Sequence, residues 1–143
     1  MGVSMPPFYP RRKIPLMAKD IMATPPVTIS DKARITEAAR LMCEKRIGSV
    51  LVVNESGKLI GIVTERDLAC AVAKECEDAP VWGVMTENPV TVKPETPVEE
   101  IVRIMGELGV RHMPVVDDDG KPLGVISIRD IVALTRLLTS LMK

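Results

Sequence analysis

The chain has 143 residues, and its nineteen basic side chains balance nineteen acidic ones, so the formal net charge is zero. This balance argues against a nucleic-acid binder that relies on phosphate neutralisation, and three aromatic residues are too few for a stacking platform. With one histidine and three cysteines, none spaced as Cys-x-x-Cys, a multi-histidine metal centre is excluded, and a zinc site or a disulfide framework is disfavoured.

The cysteine usage fits a reducing compartment, and we expect a cytoplasmic protein. No apolar run approaches the roughly eighteen residues of a membrane helix, so no membrane association is expected. Four prolines lie within residues 1–16, where they interrupt both helices and strands. This segment is therefore predicted to be a short extended N-terminal arm.

From residue 18 onward the sequence superposes on itself at an offset of 63 without a gap, with fifteen identities over residues 20–70. Unrelated segments match at only about one position in fifteen. The chain is therefore an internal duplication, and we place the first repeat at residues 17–78 and the second at residues 79–143. Repeats of about 60 residues are marginal alone, so a shared core is expected.

Each repeat predicts the same order of elements: a short strand led by proline, a helix, a hairpin and a closing helix. The strands are expected at 26–29 and 89–92, the hairpins at 50–63 and in the matching second copy, and the closing helices at 66–77 and 129–142. Thr96 is predicted to cap the first helix of the second repeat, and Gly109 to end it. Cys43, beside the apolar face of the first helix, is predicted to be buried.

One motif ends each hairpin: Gly61 to Asp67 recurs as Gly124 to Asp130. In one interpretation, the hydroxyl of Thr64 or Ser127 and the carboxylate three positions later form a capping box at a helix start. In the other, the hydroxyl and the helix-start amides meet an anion, while the carboxylate binds a sugar diol. The two interpretations are compatible.

Arg66 and Arg129 add a second signal within this motif. A cation in the first turn of a helix interacts unfavourably with the helix dipole. Because an arginine occurs there in both repeats, we expect each arginine to have an anionic partner. A bound anion and a neighbouring acidic side chain satisfy that requirement equally well.

These features together resemble a pair of CBS domains, the cystathionine-β-synthase-type regulatory module, over about residues 17–140. The resemblance rests on the two Pro-Val-Thr segments, the Pro114-Val115-Val116 strand, both Thr/Ser-x-x-Asp endings, and the lead-ins Asp20-Ile21-Met22 and Gly83-Val84-Met85. It implies a stand-alone α/β (α+β) protein of two βαββα units related by a pseudo-twofold axis.

The resemblance also implies two clefts between the repeats that take an adenosine compound, with AMP, ADP or ATP favoured. By position in the motif, Asp67 and Thr64 would bind the ribose in one cleft, and Asp130 and Ser127 would bind it in the other. Backbone near Val27 and Val90, and at the hairpin entry Ile47-Gly48, would hold the adenine edge. Phosphate would meet Gly48 in one copy and Arg111 with His112 in the other.

The two clefts are not expected to be equal. An arginine offers a fixed fork of donors for phosphate, whereas a glycine offers only its amide. The first repeat also departs from the family pattern, because Leu51 stands where the second repeat has Pro114. We therefore expect the cleft ending in Ser127, Arg129 and Asp130 to bind phosphate more strongly than the cleft of Thr64, Arg66 and Asp67.

The resulting hypothesis is a regulatory, energy-sensing module that binds an adenosine nucleotide and needs no obligatory cofactor or metal. It would transmit occupancy to a regulated protein or to its own homodimer, formed through the apolar final helix. The alternative is an assembly module that binds no nucleotide. Catalysis is not expected, since no nucleophile with a base, metal cluster or phosphate loop is visible in the sequence.

Overall fold

Helices and short strands alternate along the chain in a computed structural model, which describes residues 16–142. The elements of the first repeat are α1 (Ala18–Ile21), β1 (Thr28–Ser30), α2 (Ile35–Lys45), β2 (Ser49–Val53), β3 (Leu59–Thr64) and α3 (Glu65–Ala73). Those of the second are a 3-10 turn (Val81–Gly83), β4 (Thr86–Glu87), α4 (Val98–Leu108), β5 (His112–Val116), β6 (Pro122–Ser127) and α5 (Ile128–Leu141). The predicted arm, apart from Leu16, lies outside the described residues.

Two sheets form, one around each predicted hairpin. The first has the order β1-β2-β3-β4, with β1 parallel to β2 and the other neighbours antiparallel. The second has the hairpin β5-β6, which is extended by single bridges from Val92, parallel to Val115, and from Ala23, antiparallel to Val125. The second sheet thus repeats the layout of the first in a shorter form, as the duplication predicts.

The lead-in of each repeat packs on the other repeat. Strand β4 belongs to the second repeat in sequence but pairs with β3 of the first, and Ala23 of the first repeat pairs with β6. Ala18 is fully buried in the second hydrophobic core, and Val81 is fully buried in the first. The expected shared core is therefore two cores, each completed by residues from the other repeat.

Two glycines of the repeated motif make this exchange possible. A Cβ atom on Gly61 would stand 2.5 Å from the Met85 sulfur, and one on Gly124 would stand 2.7 Å from the carbonyl oxygen of Ala23. Both distances are too short for non-bonded heavy atoms. The glycines are therefore required where the crossing lead-in approaches the hairpin backbone.

Most helix ends follow the sequence, with two departures. Gly109 ends α4 in the left-handed conformation at φ 66°, as predicted. However, Pro97 occupies the N-cap of α4, and the Thr96 hydroxyl instead accepts the backbone N–H of Lys93 at 3.0 Å. Cys43 is exposed, so the prediction of burial was wrong. Thr96 lies at a helix boundary, where a shift of one residue changes the capping residue. Cys43 lies beside the face of α2 that buries Ala38 and Met42, and not on it.

Candidate functional site

The two predicted capping boxes are present at the starts of α3 and α5. The backbone N–H and the hydroxyl of Thr64 donate to Asp67 Oδ2 at 2.8 and 3.1 Å. The same groups of Ser127 donate to Asp130 Oδ2 at 2.9 and 3.1 Å, and the Asp130 N–H donates to the Ser127 hydroxyl at 3.4 Å. Each carboxylate thus uses only one oxygen for the cap. Within residues 16–142, Oδ1 of both aspartates forms no hydrogen bond.

The motif arginines have no acidic partner among the described residues. Arg66 and Arg129 are both exposed at the second position of their helices. Four salt bridges occur in the described part of the chain, and none includes either arginine. Within residues 16–142, a neighbouring carboxylate is thus not seen for either arginine, and both guanidinium groups face solvent.

Sheet register brings the predicted site residues of each repeat to one end of its sheet. Ser49 pairs with Thr64, and the Leu51 N–H donates to the Val27 carbonyl at 3.1 Å. In the second repeat His112 pairs with Ser127, and the bridge of Val92 to Val115 places Val90 toward the same end. Because neighbouring strands are about 4.8 Å apart, each set spans about 10 Å. That span suits a nucleoside.

The hairpin entries of the two repeats meet each other at this end. A Cβ atom on Gly48 would stand 3.0 Å from His112 Cε1 and 3.1 Å from Glu65 Oε1. The Gly48 carbonyl accepts the Glu65 N–H at 3.2 Å, and the Arg111 carbonyl accepts the Ile128 N–H at 2.8 Å. We call the group of Gly48, Glu65 and His112 the junction, since it joins the hairpin entry of one repeat to that of the other.

His112 is half-buried in the junction, and its Nδ1 atom is buried without a hydrogen-bond partner in the described residues. Burial lowers the pKa of His112 below 6.5, since desolvation disfavours the imidazolium. Glu65 and Asp130 oppose this effect by raising the pKa, whereas Arg129 and Arg111 lower it further. Charged groups of both repeats therefore act on the imidazole, and the lowered pKa favours its neutral form.

Glu65 is the residue that the sequence reasoning missed. It lies inside the repeated motif, but its counterpart at the offset of 63 is Ile128, so it does not belong to the set of identities. That difference was the available signal: a charged residue in one copy and an apolar residue in the other mark a break in the pseudo-symmetry. The structure places its carboxylate beside Gly48, where the sequence predicted phosphate.

Two surface concavities lie away from the predicted residues. One, of about 290 Å³, is an apolar groove between α4 and α5 that includes Val102, Leu134 and Leu138. The other, of about 200 Å³, lies at the hairpin tips beside Leu59, Pro89 and Gly120. Neither is lined by Asp67, Asp130 or a junction residue. The candidate site is therefore defined by the part-buried carboxylates and the exposed arginines of the two motifs.

The remaining predicted residues have ordinary structural surroundings. Ile47 is half-buried, and its N–H donates to the Met42 carbonyl at the end of α2, at 3.1 Å. Val90 is 43% exposed. Residues 16–142 contain no group of three His, Cys, Asp or Glu side chains that could hold a metal ion. In the same part of the chain, no helix is both long and apolar enough to span a bilayer.

The family model described as "CBS domain" matches residues 18–74 and 81–136. The uncharacterized protein MK0525 of Methanopyrus kandleri is 36% identical over 117 residues, which are 80% of this chain. The matched region spans 60% of that relative's length.

Two solved structures have the same fold. The CBS domain pair of protein MJ0100, in complex with 5′-methylthioadenosine and S-adenosyl-L-methionine, has a TM-score of 0.80 and 32% identity, over 84% of this chain and 95% of that one. The CBS domain protein PAE2072 from Pyrobaculum aerophilum, complexed with AMP, has a TM-score of 0.78 and 29% identity, over 87% of this chain and 99% of that one. The tandem α+β architecture expected from the sequence is confirmed.

Proposed function

The chain belongs to the CBS domain family, and from that premise we propose that it is a regulatory module that binds an adenosine-containing ligand between its two repeats. We favour AMP, ADP or ATP. One observation carries the proposal: among residues 16–142, the aspartate of each motif keeps one carboxylate oxygen without a hydrogen bond, and the arginine before it has no acidic partner. A free carboxylate oxygen suits a ribose diol, and a free guanidinium suits a phosphate.

In the proposed site the ribose hydroxyls donate to Asp130 Oδ1 in the second cleft and to Asp67 Oδ1 in the first. The backbone near Val90 and Val27 holds the adenine edge. Phosphate is bound by Arg129 and Arg111 with His112 in the second cleft, and by Arg66 and the Gly48 amide in the first. The second cleft has two cations to the first cleft's one, so we rank it as the stronger phosphate site.

The role is regulatory, and occupancy is transmitted because the ligand binds two conformations unequally. The ligands bound by MJ0100 and PAE2072 support an adenosine compound, since both are solved CBS structures of the same fold. A regulated protein partner is part of the proposal, since a regulatory module acts through another protein or through its own oligomer.

A homodimer through α4 and α5 completes the proposal. Of the apolar residues expected on this surface, Ile131 belongs to the chain's own core at 8% exposure, whereas Leu137 and Leu141 are 57% and 73% exposed. Val102 on α4 is 44% exposed beside the same groove. An apolar surface of this kind is typical of an interface.

The exposed apolar surface also favours the second candidate role, an assembly module that binds no nucleotide. Thermal unfolding of the full chain with AMP, ADP, ATP, 5′-methylthioadenosine and S-adenosyl-L-methionine separates the two. A ligand at a hundred times its dissociation constant adds about 2.7 kcal/mol to the free energy of unfolding. GMP is the matched control, since it shares the ribose and phosphate. Stabilisation by no adenosine compound would refute the proposed function and leave the assembly role.

A further inference from the structure

The groove between α4 and α5 offers an apolar surface with one unpaired charge. Apart from Glu99 and Thr135, its lining is apolar. The Thr135 hydroxyl already donates to the Ile131 carbonyl at 2.9 Å within α5. Glu99 is exposed and, within residues 16–142, forms no salt bridge. The groove therefore suits an occupant that has apolar side chains and a positive charge.

The described part of the chain begins beside this groove. The Ala18 N–H donates to the Thr96 carbonyl at 2.8 Å, and the Val98 N–H donates to the Leu16 carbonyl at 3.0 Å. The two segments are antiparallel, and Val98 lines the groove. Because the chain passes Thr96 and then Val98 when it is traced backward to Leu16, we expect the residues before Leu16 to follow the start of α4 toward the groove.

Residues 1–15 have the composition that the groove requires. They lie outside the described residues, and their sequence includes two of the three aromatic side chains of the chain, Phe8 and Tyr9. They contain no acidic residue, and residues 11–13 are all basic. The first turn of α4, which includes Glu99, is acidic. The segment is therefore complementary to the groove in both polarity and charge.

Ile14 is the residue of this segment that the register places at the groove. It precedes Pro15, and a residue before proline favours extended backbone. In extended backbone, side chains two positions apart lie on the same side, and Leu16 packs against the second hydrophobic core. Ile14 should therefore face the protein about 7 Å beyond Leu16. Val102 matches this position, because it lies one helical turn, or about 6 Å, beyond Val98.

We propose that residues 1–15 dock on the groove of their own chain, with Ile14 against Val102 and the basic residues at the acidic start of α4. A segment tethered beside its site has a high effective concentration, which favours it over a second copy or another protein. This docking is separate from the proposed function and does not depend on it. Leu137 and Leu141 do not line the groove, so they stay available to a second copy.

Limited digestion of the full chain with trypsin tests the proposal, because residues 11–13 are themselves trypsin sites. Cleavage there, followed by mass spectrometry, tracks the fraction of molecules in which the segment is undocked. Val102→Gln places an amide against the docked isoleucine and should raise the cleavage rate about tenfold. Val132→Gln is the matched control, since Val132 is 45% exposed against 44% for Val102 but does not line the groove. It should change the rate by less than about twofold.

A second variant changes the segment instead of the groove. Ile14→Ser removes the apolar side chain that is proposed to be buried, so cleavage after Arg11 should also become about tenfold faster. Because this residue lies outside α4 and α5, its effect does not depend on how well those helices tolerate a substitution.

Dilution separates this occupant from a second copy. Docking within one chain does not depend on protein concentration, so the wild-type rate constant for cleavage should stay the same over about a hundredfold dilution. Protection that disappears on dilution would assign the segment to a partner copy and overturn the proposal. Equal cleavage of the wild type, Val102→Gln and Ile14→Ser would also overturn it. So would an equal rise in Val102→Gln and Val132→Gln, since the effect would then not be specific to the groove.

Discussion

Asp130→Ala separates the two roles that the sequence assigned to one carboxylate. Without ligand, the substitution removes the capping bonds from the Ser127 N–H and hydroxyl, at 2.9 and 3.1 Å, together with a negative charge at the start of α5. Loss of such a cap costs about 1 kcal/mol. Asp67→Ala is the matched control, since it removes the same two bonds at 2.8 and 3.1 Å from α3. The two variants should be destabilised about equally.

With AMP the variants should differ. A hydrogen bond from a ribose hydroxyl to a carboxylate is worth about 2 kcal/mol, so its loss weakens binding by about 30-fold. At an AMP concentration a hundred times the wild-type dissociation constant, the stabilisation should fall from about 2.7 to about 0.9 kcal/mol in Asp130→Ala. Asp67→Ala should keep nearly all of it, because the first cleft is the weaker phosphate site.

Urea unfolding followed by far-UV circular dichroism measures both quantities, since the midpoint is read with and without AMP for each variant. The single tryptophan, Trp82, is 58% exposed and is a poorer probe. If Asp130→Ala is destabilised without ligand but is still stabilised by AMP as much as the wild type, the carboxylate acts only as a helix cap. If Asp67→Ala loses the larger AMP increment, the ranking of the clefts is wrong.

Three further predictions concern the fold, the junction and the dimer. Gly124→Ala should destabilise the protein by about 2 kcal/mol, because the new Cβ would meet the Ala23 carbonyl. Gly61→Ala should cost less, since the nearest atom there belongs to the flexible Met85 side chain. Equal urea midpoints for the two variants would contradict this prediction. The lowered pKa of His112 means that the unfolded chain binds a proton first, so stability should fall as pH drops below 6.5, and His112→Asn should flatten that step in urea midpoints. Leu141→Glu, at a residue 73% exposed, should promote dissociation of the dimer in a sedimentation dilution series without lowering the urea midpoint.

Local patterns predicted the hairpins and most of the helices of each repeat, because the relevant physics is local. Two element predictions were wrong: of the strand expected at 89–92 only the bridge of Val92 to Val115 forms, and the helix expected at 66–77 ends at Ala73. The hairpins turn at Gly57 and Gly120, both at φ 80°, and the helix starts follow the hydroxyl and carboxylate three residues apart. The prediction that Thr96 caps α4 was wrong for a related reason. A hydroxyl next to a proline can accept a hydrogen bond either from the helix or from the preceding turn. Here the Thr96 hydroxyl accepts the Lys93 N–H of the turn.

The exchange of lead-ins could not be predicted from such patterns. Ala18 and Val81 have no periodic partners of their own, and α1 has only four residues. Their burial depends on which repeat they cross to, and two repeats of the same fold offer two similar docking surfaces. Only the three-dimensional arrangement decides between them. The predicted roles of Asp67 and Asp130 in ligand binding stay predictions, since the capping bonds they form are compatible with both interpretations.

The exchange and the junction together limit how this pair can respond to a ligand. The core of each repeat contains a buried residue from the other repeat, either Ala18 or Val81. Separating the repeats would expose both residues, so a large opening is strongly disfavoured. Gly48 and Glu65 of the first repeat meet His112 of the second at the junction. A ligand charge placed there acts on groups from both repeats at once. We therefore expect a bound ligand to act through small local shifts at the junction and not through separation of the repeats.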